Sequence, residues 1–102
     1  MNEIHSQNQL LLSLQRALLG NVDSDLRQAS VEADIVRKIV KIRFEHSRAI
    51  RDYAKERLSV AASEVIADFP SPWSLDEQYS AAPTLTPLMH VAYRRFEQED
   101  DQ

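Results

Sequence analysis

The sequence predicts an α+β fold, a two-layer sandwich in which two helices cover one face of a four-stranded, mostly antiparallel sheet. Three observations support it. Two stretches repeat apolar residues at helical spacing, one stretch alternates apolar and polar residues with a period of two, and shorter apolar runs follow near the carboxyl end. The predicted order is helix, strand, strand, helix, strand, strand. The sheet face away from the helices should be open to solvent or to a partner.

The first helix is predicted from about residue 4 to residue 19, because Leu11, Leu14 and Leu18 fall on one helical stripe. Gly20, the one glycine of the chain, follows the last leucine of this stripe. Glycine readily adopts the left-handed conformation that closes a helix. We therefore expect the helix to end there.

Residues 26–46 alternate apolar and polar side chains, which predicts two strands joined by a turn near residues 37–38. One antiparallel register, in which partner numbers sum to 75, places Ala33 opposite Ile42. It matches apolar residues on one face and opposite charges on the other, so it is the register that the sequence favours.

A long second helix is predicted after Ser47, which can cap a helix, because apolar residues then recur at helical spacing as far as Phe69. Two prolines follow within three residues and should end it. A third strand is predicted near residues 73–79 and a fourth over residues 89–96.

The chain of 102 residues is expected to form one domain over residues 1–96, followed by a flexible acidic tail at residues 97–102. The tail contains four acidic residues, which account for the formal net charge of −4. The remaining chain is balanced, with twelve basic and twelve acidic residues.

The chain contains no cysteine, which excludes disulfides and thiolate chemistry and suits a reducing compartment. No apolar run approaches the roughly 20 residues that cross a bilayer. The amino terminus lacks the basic and apolar segments of an export signal. We therefore expect a cytoplasmic protein with no membrane contact.

No catalytic, cofactor or metal site is predicted. His5, His46 and His90 are scattered and have no partner at metal-ligand spacing. A single glycine provides no glycine-rich loop, and no serine lies in a nucleophile elbow. The neighbouring Asp76 and Glu77 should point to opposite faces of a strand, so they cannot share one acid-base task. The chain is therefore predicted not to be an enzyme and to need no cofactor.

Two segments resemble a known group of proteins. These are Leu10-Leu-Leu-Ser-Leu-Gln-Arg-Ala-Leu-Leu-Gly20, followed closely by Leu26-Arg27, and Ser63-Glu-Val-Ile-Ala-Asp-Phe-Pro70. They resemble small bacterial α/β proteins that include immunity proteins of contact-dependent growth inhibition toxin systems. The resemblance covers about the first 70 residues. It implies a cytoplasmic protein that binds a cognate toxin domain, often a nuclease, and occludes it.

The residues expected to contact such a toxin are acids from net-negative segments and two aromatic residues, which are common interface anchors. They are Asp23, Asp25, Trp73, Asp76, Glu77 and Tyr79. Acids facing a basic nuclease would mainly speed the encounter.

Two other functions are left open. Residues 37–57 contain eight basic and three acidic residues, which could neutralise phosphates in a nucleic-acid-binding accessory protein. Pairing of several of these cations with nearby acids is the favoured interpretation. The other alternative is a self-associating structural subunit, a homodimer formed through the open sheet face or a sheet edge.

Overall fold

A computed structural model of the chain describes residues 7–97, and its elements follow the predicted order. The helices and strands are α1 (Gln7–Leu18), β1 (Leu26–Asp34), β2 (Ile39–His46), α2 (Asp52–Ile66), β3 (Ser74–Ser80) and β4 (His90–Arg94). The predicted α+β class is confirmed. Within residues 7–97, neither helix has the length and apolar character needed to span a membrane.

The four strands form one mixed sheet in the order β3-β2-β1-β4. Strand β1 pairs antiparallel with both β2 and β4, and β3 runs parallel to β2. The parallel pairing is possible because α2 lies between β2 and β3 in the chain and returns it to the starting end of the sheet. Because of their places in the strand order, β3 and β4 are the two edge strands.

The core lies between the helices and one face of the sheet. Alternate residues of the two central strands are fully buried there because every second side chain points to the same face. These are Ala29, Val31, Val40, Ile42 and Phe44, and they pack against Leu10 and Leu14 of α1 and Leu58, Ala61 and Val65 of α2. The apolar stripes that predicted both helices are therefore the surfaces that they bury.

Gly20 has the left-handed conformation expected of it, with φ of 80°, two residues after α1 ends.

The second helix differs from the prediction, because it begins at Asp52 rather than after Ser47. The Ser47 amide instead donates to the carbonyl of Asp25 at 2.9 Å, which ties this segment to the start of β1. Arg51 is the N-cap residue and makes no side-chain capping bond.

The predicted β1–β2 register is wrong by two residues. Ile42 pairs with Val31 rather than with Ala33, so partner numbers sum to 73. A shift of two residues keeps each side chain on its original face, so the predicted core face is right although the partners are not.

The turn between β1 and β2 explains the shift, because it takes up residues 35–38. Ile35, which the register summing to 75 would place opposite Val40, lies in this turn instead. The amide of Arg37 donates to Asp34 Oδ1 at 3.0 Å, and Lys38 has a φ of 58°. The turn uses two residues more than the predicted one, both taken from β1, so Asp34 rather than residue 36 pairs with Ile39.

The sheet face opposite the helices is not open as expected, because residues 81–89, here called the crossing loop, run over it from β3 to β4. The amide of Thr86 donates to Glu45 Oε1 at 2.7 Å. The amide of Leu88 donates to Ser30 Oγ at 2.9 Å. Side chains of the two central strands therefore bind the backbone of the loop.

A buried polar network lies beneath the crossing loop. Glu45 is 2% exposed and Gln28 is fully buried. Gln28 Nε2 donates to Glu45 Oε2 at 2.8 Å, and Arg94 Nε donates to Gln28 Oε1 at 2.7 Å. With the Thr86 amide, the Glu45 carboxylate thus accepts two hydrogen bonds, as a buried charge requires.

Glu97, the first residue of the predicted acidic tail, pairs with β1. Arg27 Nε lies 2.8 Å from Glu97 Oε2, and Arg27 Nη2 lies 3.0 Å from Glu97 Oε1. Arg95 Nη2 adds a contact of 3.1 Å. These arginine hydrogen bonds lower the pKa of Glu97 to about 2. The rest of the predicted tail, residues 98–102, lies outside the described residues.

Replacing Glu97 by glutamine should lower the thermal midpoint at neutral pH and have little effect in strong acid. Because the folded-state pKa of Glu97 lies below its usual value of 4.5, the pair stabilises the fold fully above about pH 4.5. That stabilisation is lost as the pH falls through about 2. Melting curves of both proteins across this pH range measure the effect, and a difference that does not depend on pH would contradict it.

Candidate functional site

The described residues do not form a cluster of metal-ligating side chains. Within residues 7–97, no group of three or more histidine, aspartate or glutamate side chains could hold a metal ion. The candidate site is therefore sought on the surface, beginning with the predicted contact residues. The structure separates these residues into two regions.

Asp23 and Asp25 lie in the connection before β1 and use their carboxylates within the chain. Asp23 Oδ2 accepts a hydrogen bond from the Asp25 amide at 3.2 Å, and its Oδ1 lies 3.4 Å from His46 Nε2. Asp25 Oδ1 lies 3.4 Å from Ser47 Oγ and 3.6 Å from Arg48 Nε. The two aspartate side chains are only 18% and 20% exposed. They hold this connection against the end of β2 and offer little surface to a partner.

Glu77 and Tyr79 form a cluster with two residues of α2. The Tyr79 hydroxyl donates to Glu77 Oε1 at 2.6 Å, and the Ser59 hydroxyl approaches Glu77 Oε2 at 3.2 Å. Lys55 Nζ lies 5.1 Å from the centroid of the Tyr79 ring, within the range of a cation–π contact. Burial, together with the hydrogen bond to Glu77, raises the pKa of Tyr79. The phenol therefore stays protonated and remains a donor to Glu77.

Lys55 and Ser59 were not among the predicted site residues. They lie one helical turn apart, so the sequence contained the spacing that places them on the same side of α2. It did not show which strand that side would meet, because β3 follows α2 in the chain and its position depends on pairing with β2.

The Tyr79 ring joins this cluster to the core and to an open groove. Its centroid lies 5.3 Å from that of Phe44, with the two rings stacked. On the surface, the ring lines a groove of about 270 Å³ together with Ala49, Ile50, Ser80 and Ala81. Tyr79 is thus held rigidly while part of it remains accessible.

Asp76 and Trp73 extend this region along β3. Asp76 pairs in register with Lys41, on the face opposite Glu77, and accepts a hydrogen bond from Gln78 Nε2 at 2.9 Å. The two neighbouring carboxylates thus point to opposite faces, as predicted. Trp73, half-buried, precedes the strand and lies with its ring 5.0 Å from that of Phe69.

Four of the predicted residues thus lie on or beside one edge strand. We call Trp73, Asp76, Glu77 and Tyr79 the β3 surface. Asp23 and Asp25 belong to a separate connection and do not contribute to it.

The basic segment at residues 37–57 does not form one patch. Its first two cations lie in the turn before β2, and its last ones follow the other end of that strand. The eight residues of β2 span about 26 Å at the usual rise per residue. Between these two groups of cations, Lys41 on β2 is close to an acid, since its Nζ lies 4.0 Å from Glu32 Oε2. This distribution favours local neutralisation over a continuous phosphate-binding surface.

A family model described as MafI2 immunity protein matches residues 7–97, which include both helices and all four strands. No curated protein matches the chain. The family match supports the immunity-protein part of the sequence resemblance and extends it over almost the whole chain. It does not extend to contact-dependent growth inhibition systems, which the family description does not name. The chain belongs to the MafI2 immunity protein family.

Proposed function

We propose that this chain binds a cognate toxin domain in the cytoplasm and neutralises it by stoichiometric occlusion, with no catalysis of its own. Membership of an immunity protein family over residues 7–97 carries the proposal. The surface character of the candidate site supports it, since four of the six predicted contact residues lie on or beside an edge strand rather than in a deep cleft.

We further propose that the toxin is a nuclease delivered by a neighbouring bacterium. The resemblance to immunity proteins of contact-dependent growth inhibition systems supports this finer proposal. A nuclease must present basic groups to bind phosphates, and the carboxylates of the β3 surface would meet such groups.

The β3 surface is the proposed centre of contact. Tyr79 is held between Phe44, Glu77 and Lys55, so little side-chain freedom remains to be lost on binding. Rigid aromatic residues of this kind are typical interface anchors. A standard interface buries about 800 Å² on each partner. A seven-residue strand of half-buried residues offers less than that, so the contact should extend to neighbouring elements.

The proposal is tested with the toxin domain that we expect the gene adjacent to that of this chain to encode. We expect the two purified proteins to form a one-to-one complex by size-exclusion chromatography with light scattering. An equimolar amount of this chain should abolish cleavage of nucleic acid by the toxin domain. Toxin activity that persists in the presence of excess folded chain would contradict the proposal.

Replacing Asp76 by lysine should slow association with the toxin domain by about tenfold, because charge complementarity acts chiefly on the encounter rate. The matched control is Glu64→Lys on α2, which makes the same charge change at an exposed site away from β3. Biolayer interferometry at low and high salt measures both variants. Equal association rates for the two would remove Asp76 from the contact surface.

A further inference from the structure

The turn between β1 and β2 carries side chains that its geometry does not require. We call residues 35–38 the hairpin tip. Ile35 is 62% exposed and Val36 is 91% exposed. Turns favour glycine, asparagine, aspartate and serine, each for a conformational reason. Two adjacent β-branched apolar residues at an exposed turn therefore run against local preference.

The backbone of the hairpin tip adds to this conflict. Lys38 has a φ of 58°, in the left-handed region that glycine and asparagine adopt most easily. The turn is closed by Asp34, whose Oδ1 accepts the amide of Arg37 at 3.0 Å. The turn is held by the Asp34 carboxylate and the backbone. The apolar and basic side chains of residues 35–38 are not required for that hydrogen bond. Local conflicts of this kind are concentrated at functional sites.

The charges of the hairpin tip are free to act on a partner. Arg37 and Lys38 are exposed, and neither forms an ion pair with any residue from 7 to 97. By contrast, Arg27 is paired with Glu97 and Arg48 lies beside Asp25. The hairpin tip thus combines two exposed aliphatic side chains with two unpaired cations.

The hairpin tip is continuous with the β3 surface. The amide of Ser74, the first residue of β3, donates to the carbonyl of Lys38 at 3.0 Å. Trp73 immediately precedes this residue. A partner that covers the β3 surface from Tyr79 to Trp73 therefore reaches the hairpin tip next.

We infer that the hairpin tip inserts into an apolar depression rimmed by carboxylates on the toxin domain. This inference rests on the proposed function and specifies the chemistry of its partner. Ile35 and Val36 would fill the depression, because apolar area is stabilised by leaving water. Arg37 and Lys38 would meet the carboxylates at its rim.

Other occupants fit the hairpin tip less well. A nucleic acid would meet the two cations but would leave the aliphatic side chains in water. A second hairpin tip would bring four cations together, which like-charge repulsion opposes. An anionic membrane would bury only two short aliphatic side chains. Their apolar area is smaller than that of a single myristoyl chain, which by itself anchors a protein to a membrane only marginally.

The test compares two double variants with two single control variants in binding to the toxin domain. Ile35→Ser with Val36→Ser should weaken affinity by about 30-fold, the loss expected for an interface anchor. Arg37→Glu with Lys38→Glu should slow association by about tenfold and remove much of its salt dependence. The controls are Val60→Ser and Arg51→Glu, both exposed and on or beside α2, and each should bind within about twofold of the original chain. Thermal melting checks that every variant is folded.

The outcomes separate the hairpin tip from the proposed function. If the original chain fails to bind the toxin domain, both are overturned. If the original chain binds and both double variants bind as tightly as it does, the inference about the hairpin tip is overturned and the proposed function stands. Vesicles containing phosphatidylserine test the membrane, and light scattering of the chain alone tests the second hairpin tip. Binding or self-association that only the tip variants abolish, with toxin binding unchanged, would also overturn the inference.

Discussion

Replacing Phe44 by alanine should lower the free energy of unfolding by about 3–5 kcal/mol, the usual cost of removing a buried phenylalanine. Phe44 is fully buried on a central strand, on the face that the helices cover, and its ring stacks on that of Tyr79. Domains of this size are stable by about 5–15 kcal/mol, so the loss is a large part of the total. The thermal midpoint should fall by at least about 12 °C.

The matched control is Phe96→Ala, because Phe96 is 90% exposed. Its removal leaves no cavity and should change the free energy of unfolding by less than about 0.5 kcal/mol. Denaturant unfolding followed by circular dichroism compares the two variants. If the two variants lose similar amounts of unfolding free energy, Phe44 does not occupy the core position described.

Replacing Glu45 by alanine should cost about 3 kcal/mol and release the crossing loop. The buried Gln28 Nε2 and the part-buried Thr86 amide both lose their acceptor. Leaving a buried donor unsatisfied costs more free energy than a single hydrogen bond contributes. The Thr86 amide should exchange with solvent much faster, which hydrogen-exchange mass spectrometry can follow in a peptide that covers the loop.

The control for this change is Glu56→Ala on the exposed side of α2, which should leave both stability and exchange almost unchanged. Glu45→Gln should have an intermediate effect, because an amide offers one oxygen where the carboxylate offers two. Unaltered exchange at Thr86 in the Glu45→Ala variant would show that other contacts hold the loop in place.

The two sheet faces differed in how well they could be predicted. The helix-facing side followed from the sequence, since Val31, Ile42 and Phe44 occupy alternate positions and are all buried. The other side was expected to be open, and instead Gln28 and Ser30 are buried beneath the crossing loop. Their polar side chains are typical of an exposed face, so the sequence contained no sign that backbone amides would cover them.

The candidate contact residues show the same division. The sequence placed Asp76 and Glu77 on opposite faces correctly, because alternation along a strand is a local property. It also grouped Asp23 and Asp25 with them on charge alone. The structure separates these two aspartates because Asp23 lies against His46 and Asp25 against Ser47 and Arg48, contacts between residues distant in the chain.

By itself, the sequence determined the order of the elements and the apolar face of each, because apolar periodicity depends only on neighbouring residues and on backbone geometry. Only the tertiary structure decided the β1–β2 register, the path of the crossing loop and the place of Trp73 beside the hairpin tip. These features depend on how many residues a turn uses and on which distant groups satisfy one another's hydrogen bonds. Neither quantity is encoded in local spacing.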